Sequence, residues 1–376
     1  MSAHTGAAAG WPLHVVLAGG GTAGHIEPAL SLADALCRRD PRTEVTALGT
    51  ARGLETRLVP ERGYELALIP AVPVPRRPSL AMLSLPGRLR EAVAAVSAVL
   101  DRTSADVLVG FGGYVSAPAY LAARRRHVPY VVHEQNARPG LANRLGARGT
   151  RFVASATRGS SLRHARFLGL PLRRSVATLD RVAARPEALA AFGLDPGRTT
   201  LLVTGGSQGA RRINAAVTGA APAIGEAGVQ VLHITGAQGA DAVAAVPGVP
   251  YVVLEYCDRM DLAYAAADLV LCRAGAGTVA ELCAVGLPAA FVPLPIGNGE
   301  QRLNAEPVLA VGGAIVVADE DCTPDWVRRT LLPLLADAAR LAAMGTATAG
   351  LGRPDADELL ADLVLEAAAT REGSAP

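Results

Sequence analysis

Leu17-Ala18-Gly19-Gly20-Gly21-Thr22-Ala23-Gly24 and Val203-Thr204-Gly205-Gly206-Ser207-Gln208-Gly209-Ala210 are one pattern written twice in a single chain. Each is an apolar run that ends in a glycine-rich turn and passes into a helical stretch. A buried strand, a glycine turn and a helix open a doubly wound α/β unit. Around the first copy, His14–Ala18 reads as a strand, Pro28–Arg39 as a helix and Glu44–Leu48 as a strand. Leu54–Arg62 then reads as helix and Tyr64–Ile69 as extended chain. Val107–Gly110 and Tyr130–His133 are further strands, with Ala117–Arg126 helical between them. The pattern restarts at Thr200–Thr204, with strands at Gln230–Ile234, Tyr251–Leu254, Leu269–Cys272, Ala289–Pro293 and Ala314–Val317. Strand and helix in regular alternation call for parallel sheets covered on both faces.

The expected architecture is therefore α/β: two doubly wound, Rossmann-like domains facing each other across a cleft. The joint falls near Pro171–Ser175, and Val182–Phe192 reads as the first helix of the second domain. This gives domains at 12–172 and 173–352, followed by a C-terminal segment, 353–376. That segment holds a helix, Asp355–Ala369, expected to pack back on the first domain.

Composition permits this and narrows the chemistry. With 376 residues, half of them hydrophobic, the chain can bury two cores. All 36 basic side chains are arginine, so neither a lysine Schiff base nor a Walker phosphate loop can be built. A net charge of +2 argues against a nucleic-acid binder. Cys37, Cys257, Cys272, Cys283 and Cys322 form no C-x-x-C pair, and most lie in apolar segments, which fits free thiols in a reducing compartment. No signal peptide is evident at the N-terminus. The apolar uncharged stretch Pro307–Ala318 is too short to span a bilayer. Any membrane contact should then be peripheral.

The stretch Pro70–Arg90 is broken by five prolines and reads as a long loop or broken helix. Leu80, Met82, Leu83 and Leu85 interleave there with Arg76, Arg77, Arg88 and Arg90. Such a mixture suits an anionic membrane surface. Leucines that merely cap the domain core would look the same.

Gly19, Gly21 and Gly24 satisfy the dinucleotide spacing G-x-G-x-x-G. The second strand, however, ends Leu48-Gly49-Thr50, without the acid that would grip a ribose, which opposes a nicotinamide cofactor. What remains is a turn whose backbone N–H groups can approach an anion at a helix N-terminus. His25 follows directly. The positive end of a helix disfavours imidazolium, so a neutral ring able to accept a proton is expected. In the second turn Ser207 adds a hydroxyl, and the turn could hold a nucleotide-sugar diphosphate as it departs. Holding the diphosphate with backbone dipoles removes the need for a metal, and neither a metal nor a cofactor is expected. Thr278-Val-Ala-Glu281 has two readings: a capping box that starts a helix, or a carboxylate at the sheet edge accepting both ribose hydroxyls. Spacing leaves both open. His133-Glu134-Gln135-Asn136 ends a buried strand, and so carries polar groups to the edge where open sheets bind ligands.

Taken together, Gly19–Pro28, Gly110–Ser116, His133–Asn136, Gly205–Ala210, Tyr264–Glu281 and Gln301–Ala305 closely resemble the MurG family. These are the N-acetylglucosaminyltransferases that convert lipid I to lipid II in peptidoglycan synthesis. The resemblance implies a GT-B fold, UDP-N-acetylglucosamine as donor, and metal-independent inversion at the anomeric carbon. The first domain would bind lipid I, its diphosphate at Gly20 and Gly21. Thr22, Ala23 and Gly24 would lie where donor meets acceptor, and Asn136 and Gln301 would contact the transferred sugar. Arg173 and Ser207 would lie near the nucleotide and its phosphates, and the backbone of Cys257 would read uracil. Ala276, Gly277, Thr278, Val279, Ala280 and Glu281 would hold ribose and diphosphate. His25 is the expected base, with Glu134 as its partner or substitute, and closure of the two domains over the donor is expected.

The resemblance also implies the cytoplasmic face of the bacterial plasma membrane, with the Leu80–Arg90 patch on an anionic surface, and cell-wall synthesis proteins as partners. Leu170, Cys257, Gly277 and Ala23 depart from the commoner family pattern. None of these departures removes a charge or hydroxyl assigned above.

Overall fold

The computed structural model describes residues 12–21, 23–72, 84–206, 208–236, 239, 248–296 and 299–372. It divides into two compact units. The first runs up to Gln135 and adds Pro139–Pro171 and the chain from Asp355; the second is Asn136–Arg138 with Leu172–Pro354.

In the first unit the strands are β1 (His14–Gly19), β2 (Glu44–Gly49), β3 (Glu65–Leu68), β4 (Val107–Gly112), β5 (Tyr130–Glu134), β6 (Val153–Ser155) and β7 (Ala165–Phe167). They pair in parallel in the order β3-β2-β1-β4-β5-β6-β7. The second unit holds β8 (Thr200–Thr204), β9 (Gln230–Ile234), β10 (Tyr251–Leu254), β11 (Leu269–Cys272), β12 (Ala289–Phe291) and β13 (Ala314–Val316). Their order is β10-β9-β8-β11-β12-β13, again parallel. Both orders reverse beside the first strand, the switch point at which open α/β sheets bind ligands.

Helices cover these sheets. The first unit has α1 (Ala23–Arg39), α2 (Glu55–Glu61), α3 (Leu85–Arg102), α4 (Ser116–Arg125) and α5 (Leu141–Gly146). The second has α6 (Arg174–Ala177), α7 (Arg181–Phe192), α8 (Arg211–Glu226), α9 (Met260–Ala266), α10 (Ala276–Val285), α11 (Glu300–Ala310), α12 (Pro324–Trp326), α13 (Leu332–Leu335) and α14 (Ala338–Ala349). The last helix, α15 (Ala356–Glu372), returns to the first unit.

Burial explains why the strands read as unbroken apolar runs. Every residue of β4, β5, β8, β9 and β11 is buried, as central parallel strands require, whereas the edge strands β3 and β10 are partly open. Alternate residues feed opposite faces. Val16 and Ala18 pack with Val93 and Val96 of α3, while Val15 and Leu17 pack with Leu32 of α1 and Leu360 and Val364 of α15.

Strands β6 and β7 were not expected from the sequence, and two helical regions also differ from the expectation. The Pro70–Arg90 stretch does not remain irregular to its end: α3 begins at Leu85, and Pro86 sits in its first turn, where a missing N–H costs nothing. Leu85, Arg88 and Arg90 are thus helical, whereas Leu80, Met82 and Leu83 lie outside the described residues. Helix α1 begins at Ala23, ahead of Pro28. A proline that deep in a helix leaves the carbonyl four residues earlier, that of Gly24, without its usual partner.

Charge reinforces the seat of α15. Arg38 pairs with Asp357 at 2.6 Å and Glu358 at 2.7 Å, and Arg39 with Glu358 at 2.7 Å and Asp362 at 2.6 Å. These pairs are half-exposed and set orientation more than stability. The apolar face carries the energy. Leu360→Ala, at a position with no exposure, should therefore destabilise the first unit by about 2–5 kcal/mol. Urea denaturation followed by circular dichroism checks this, and a loss within error of zero would contradict it.

Candidate active site

The first glycine turn lies where β1 and β4 part. Gly21 has φ +92, and Gly112 and Gly113 at the end of β4 have φ +99 and +80, conformations that L side chains rarely adopt. A Cβ on Gly113 would run into the Gly20 carbonyl oxygen, so the two glycine segments touch backbone to backbone. Ser116 Oγ fastens them: it accepts from the Gly112 N–H at 2.9 Å and donates to Ala18 O at 2.7 Å. The stretch Gly110–Ser116 is therefore the second wall of the first turn.

That turn already faces an anion from within the chain. Glu55, the first residue of α2, has no exposure. Its Oε2 accepts from the Gly21 N–H at 3.1 Å, and its Oε1 accepts from the Thr50 N–H at 2.8 Å and the Thr50 hydroxyl at 3.0 Å. Gly49 and Gly53 leave room for it, since a Cβ on either would collide with the Glu55 side chain. An acid does reach the end of β2, from the first turn of α2 rather than from the strand itself. Both of its oxygens serve the protein's own backbone and Thr50. Gly20 is buried, and Gly21 and Gly24 are exposed. Thr22 lies outside the described residues, and Ala23 is the first residue of α1.

His25 lies in the first turn of α1, and its ring rests on Gly112: a Cβ there would be 3.2 Å from Nε2. The imidazole pKa is lowered to about 4. The direction is the expected one, but the cause is desolvation by burial rather than the helix end. Asn143 Nδ2 also faces Gly112 and donates to Glu134 Oε2 at 3.0 Å, so His25 and Glu134 reach the same strand end. The buried Glu134 carboxylate further accepts from the Gly140 N–H at 2.9 Å, at the start of α5. Asn143 Oδ1 takes the Tyr120 hydroxyl at 2.7 Å. The neighbouring His133 faces inward; Nε2 lies 2.9 Å from Gly169 O, and burial lowers its pKa to about 4.

In the second unit the glycine turn between β8 and α8 is closed by Gly209 N–H donating to Gly206 O at 2.8 Å. Gly209 (φ +75) packs on Thr235 and Gly236, where a Cβ would strike the Thr235 carbonyl. Ser207 lies outside the described residues. Helix α10 bears on the capping-box reading of Thr278–Glu281. It starts at Ala276 with Gly275 as N-cap, so Thr278 is already inside the helix and the capping-box reading fails. The stretch Ala276–Glu281, which includes Gly277, Val279 and Ala280, is only partly buried, although Ala274 before it and Leu282 after it are buried. Glu281 Oε2 accepts from the buried Tyr264 hydroxyl at 2.6 Å.

Other predicted residues gather around α10. Arg173 sits at the N-cap of α6, and its charge acts on both Cys257 and Tyr264. The Cys257 thiol is nonetheless pushed up, chiefly by burial. Gln301 Oε1 accepts from Leu294 N–H at 2.9 Å. Asn304 Oδ1 accepts from Ala137 N–H at 3.1 Å, and its Nδ2 donates to Asn136 Oδ1 at 3.4 Å and Ala274 O at 3.3 Å. This asparagine explains why Asn136–Arg138 groups with the second unit. Arg273, which follows β11, is held by Asp319 at 2.6 Å and by Val292 O at 3.0 Å, so its charge belongs to the scaffold.

Sequence reasoning assigned no role to Glu55, Asn143, Tyr264 or Asn304. Each acts through a contact with another segment of the chain, which the local sequence does not signal.

Residues 15–155 match the Glycosyltransferase family 28 N-terminal domain, and residues 200–360 match the Glycosyltransferase family 28 C-terminal domain. A Streptomyces coelicolor protein is 63% identical over 361 residues, covering 96% of this chain and 99% of its own length. It is named UDP-N-acetylglucosamine--N-acetylmuramyl-(pentapeptide) pyrophosphoryl-undecaprenol N-acetylglucosamine transferase. An Acidothermus cellulolyticus protein of the same name is 63% identical over 365 residues, covering 96% of this chain and 99% of its own. The chain belongs to the MurG family. Its fold agrees: the crystal structure of Acinetobacter baumannii MurG superposes with a TM-score of 0.75 at 28% identity, covering 94% of this chain and all of that one.

Two outcomes follow. His25, His133 and His233 sit near pKa 4 in the fold against 6.5 for an unstrained imidazole. The unfolded chain therefore binds more protons between those values. Stability is fully present above about pH 6.5 and is lost as pH falls toward 4. Urea midpoints across that range should decline steadily, and a flat series would refute the assignment. Gly277, in the first turn of α10, has nothing within 4 Å of a built Cβ. Gly277→Ala should therefore stabilise the fold by up to about 1 kcal/mol, measured as a higher urea midpoint.

Proposed function

We propose that this chain transfers N-acetylglucosamine from UDP-N-acetylglucosamine to the muramyl 4-hydroxyl of undecaprenyl-diphospho-N-acetylmuramoyl-pentapeptide, releasing UDP. The observation that carries this reading is the identity of 56–63% over nearly the whole chain to relatives named for that transfer. The geometry supports it from two sides. A helix with a partly exposed first turn and a fixed carboxylate, Glu281, suits the nucleotide, and a neutral histidine beside the first glycine turn suits the acceptor.

The chemistry is a single displacement with inversion. The acceptor oxygen forms its bond to the anomeric carbon while the bond from that carbon to the diphosphate oxygen breaks. The electron pair leaves on UDP, and the hydroxyl proton passes to the imidazole of His25. Backbone amides of the Gly205–Ala210 turn, with Ser207, stabilise the departing diphosphate without a metal. In the first turn Gly21 N–H points to Glu55, so an acceptor diphosphate relies on the other amides at the start of α1. Glu134 acts as a positioning residue: with Asn143 it fixes the strand end against which His25 rests. Asn136 and Gln301 reach the sugar, and Cys257 reads uracil through its backbone. No helix among the described residues is long and apolar enough to cross a membrane. Access to a lipid-linked acceptor then comes from peripheral docking at the cytoplasmic face, with Leu85, Arg88 and Arg90 of α3 at the end of the apolar and basic patch.

The test is incubation with labelled UDP-N-acetylglucosamine and a lipid I analogue. Labelled disaccharide product is expected, and its absence with active donor binding would overturn the reading. His25→Ala should lower single-turnover transfer by about 10²–10⁴ while UDP still binds. With the free imidazole near pKa 4, kcat/KM should show no acid limb around pH 6.5; a limb there that disappears in the alanine variant would contradict that protonation state.

A further inference from the structure

We propose that Tyr264 is a positioning residue for ribose recognition, acting through Glu281. The inference rests on reading Glu281 as the acceptor of the ribose hydroxyls. Tyr264 lies on α9, 1% exposed, and its hydroxyl donates to Glu281 Oε2 at 2.6 Å. A hydroxyl-to-carboxylate bond of that length is charge-assisted and among the stronger ones available to a side chain. A lone carboxylate on a helix rotates about its terminal torsion at little cost. A fixed donor on one oxygen stops that rotation and sets the accepting directions before a ligand arrives, which lowers the ordering cost of binding. The donor is permanent, because burial and the neighbouring carboxylate push the phenol well above its ordinary pKa, so the proton stays on Tyr264.

The two helices that carry this pair are tied a second time, at their C-terminal ends. Arg181 donates from Nε to the Tyr264 carbonyl at 3.1 Å, from one terminal nitrogen to Ala267 O at 2.5 Å, and from the other to Gly286 O at 3.1 Å. Ala267 and Gly286 are the C-caps of α9 and α10. One guanidinium thus joins the carbonyl ends of both helices, where a cation is electrostatically favoured. Arg185 adds Ala266 O at 3.0 Å and Asp268 at 2.9 Å. With α9 and α10 locked at this end, the Tyr264 hydroxyl has no freedom to follow a wandering carboxylate. The carboxylate must come to it.

Calorimetric titration of UDP and of 2′,3′-dideoxyuridine diphosphate into the wild-type chain, Tyr264→Phe, Glu281→Gln and the double variant tests this. Tyr264→Phe keeps the ring and its packing, and circular dichroism verifies the fold of each variant. For UDP, Tyr264→Phe should weaken binding about tenfold, the size expected for a hydrogen bond to a charged group. For the dideoxy nucleotide it should change affinity by less than about twofold, and the double variant should bind UDP no more weakly than Glu281→Gln, since residues acting as a unit are not additive. A Tyr264→Phe loss of equal size on both nucleotides, or losses that add in the double variant, would overturn the inference while leaving Glu281 in its role. If Glu281→Gln binds UDP as tightly as the wild type, the ribose reading falls and the inference falls with it.

Discussion

Backbone amides at the start of a helix have no acceptor inside that helix, and both sheets place such a start where the strand order reverses. Each unit must answer that demand, and the answers differ. In the first unit Glu55 accepts from the Gly21 amide, just ahead of α1, and ties it to Thr50 at the end of β2. The glycines around it are shaped to that carboxylate as much as to any ligand. In the second unit α10 has no side-chain cap, and its first turn is partly exposed. Both glycine turns are braced from within, the first by Glu55 and the second by the bond from Gly209 N–H to Gly206 O, whereas the first turn of α10 carries no side-chain cap. That contrast fits a protein in which the nucleotide is gripped by the second unit and the first mainly shapes the reacting end of the acceptor.

How much of this could be read from the chain follows from the range of the interactions. The central strands were legible because burial on both faces leaves an uninterrupted apolar run. The glycine turns were legible because only glycine adopts the backbone they need. Helix α3 was obscured by prolines that suggested a break, although a proline in a first turn is compatible with a helix. The capping-box alternative at Thr278 was undecidable from spacing, because the residue that caps α10 is Gly275, with no side chain to betray it. Glu55, Asn143, Tyr264 and Asn304 were invisible for a deeper reason. Their partners lie in other segments, and nothing in a local window distinguishes a buried glutamate from a solvated one.

The absence of lysine shapes the scaffold as well as the chemistry. Guanidinium groups present several donors in a fixed plane and so can serve more than one carbonyl at once. Arg181 does this for α9 and α10, and Arg273 does it for the ends of β11 and β12 with Asp319. A flexible ammonium would satisfy one such carbonyl but would not fix the angle between two elements. The second unit is thus tied together by arginines that serve its own carbonyls and Asp319, which helps to keep a partly exposed carboxylate such as Glu281 in one place.

A base with pKa near 4 is weak for removing a proton from a sugar hydroxyl, because efficiency is greatest when the catalytic pKa lies near the working pH. That value belongs to the imidazole without substrate, where burial disfavours the charged ring. A diphosphate bound at the neighbouring turn changes the balance. Negative charge close to an imidazole favours imidazolium and raises its proton affinity, and in a desolvated site the effect is larger than in water. In the proposed reaction His25 therefore becomes a competent base only when the anionic acceptor is in place. Without acceptor the ring stays neutral and feebly basic, so it is poorly suited to activating water against the donor. The same burial that weakens the free base thereby links proton abstraction to the presence of the correct partner, and this requires no moving part beyond the substrate itself.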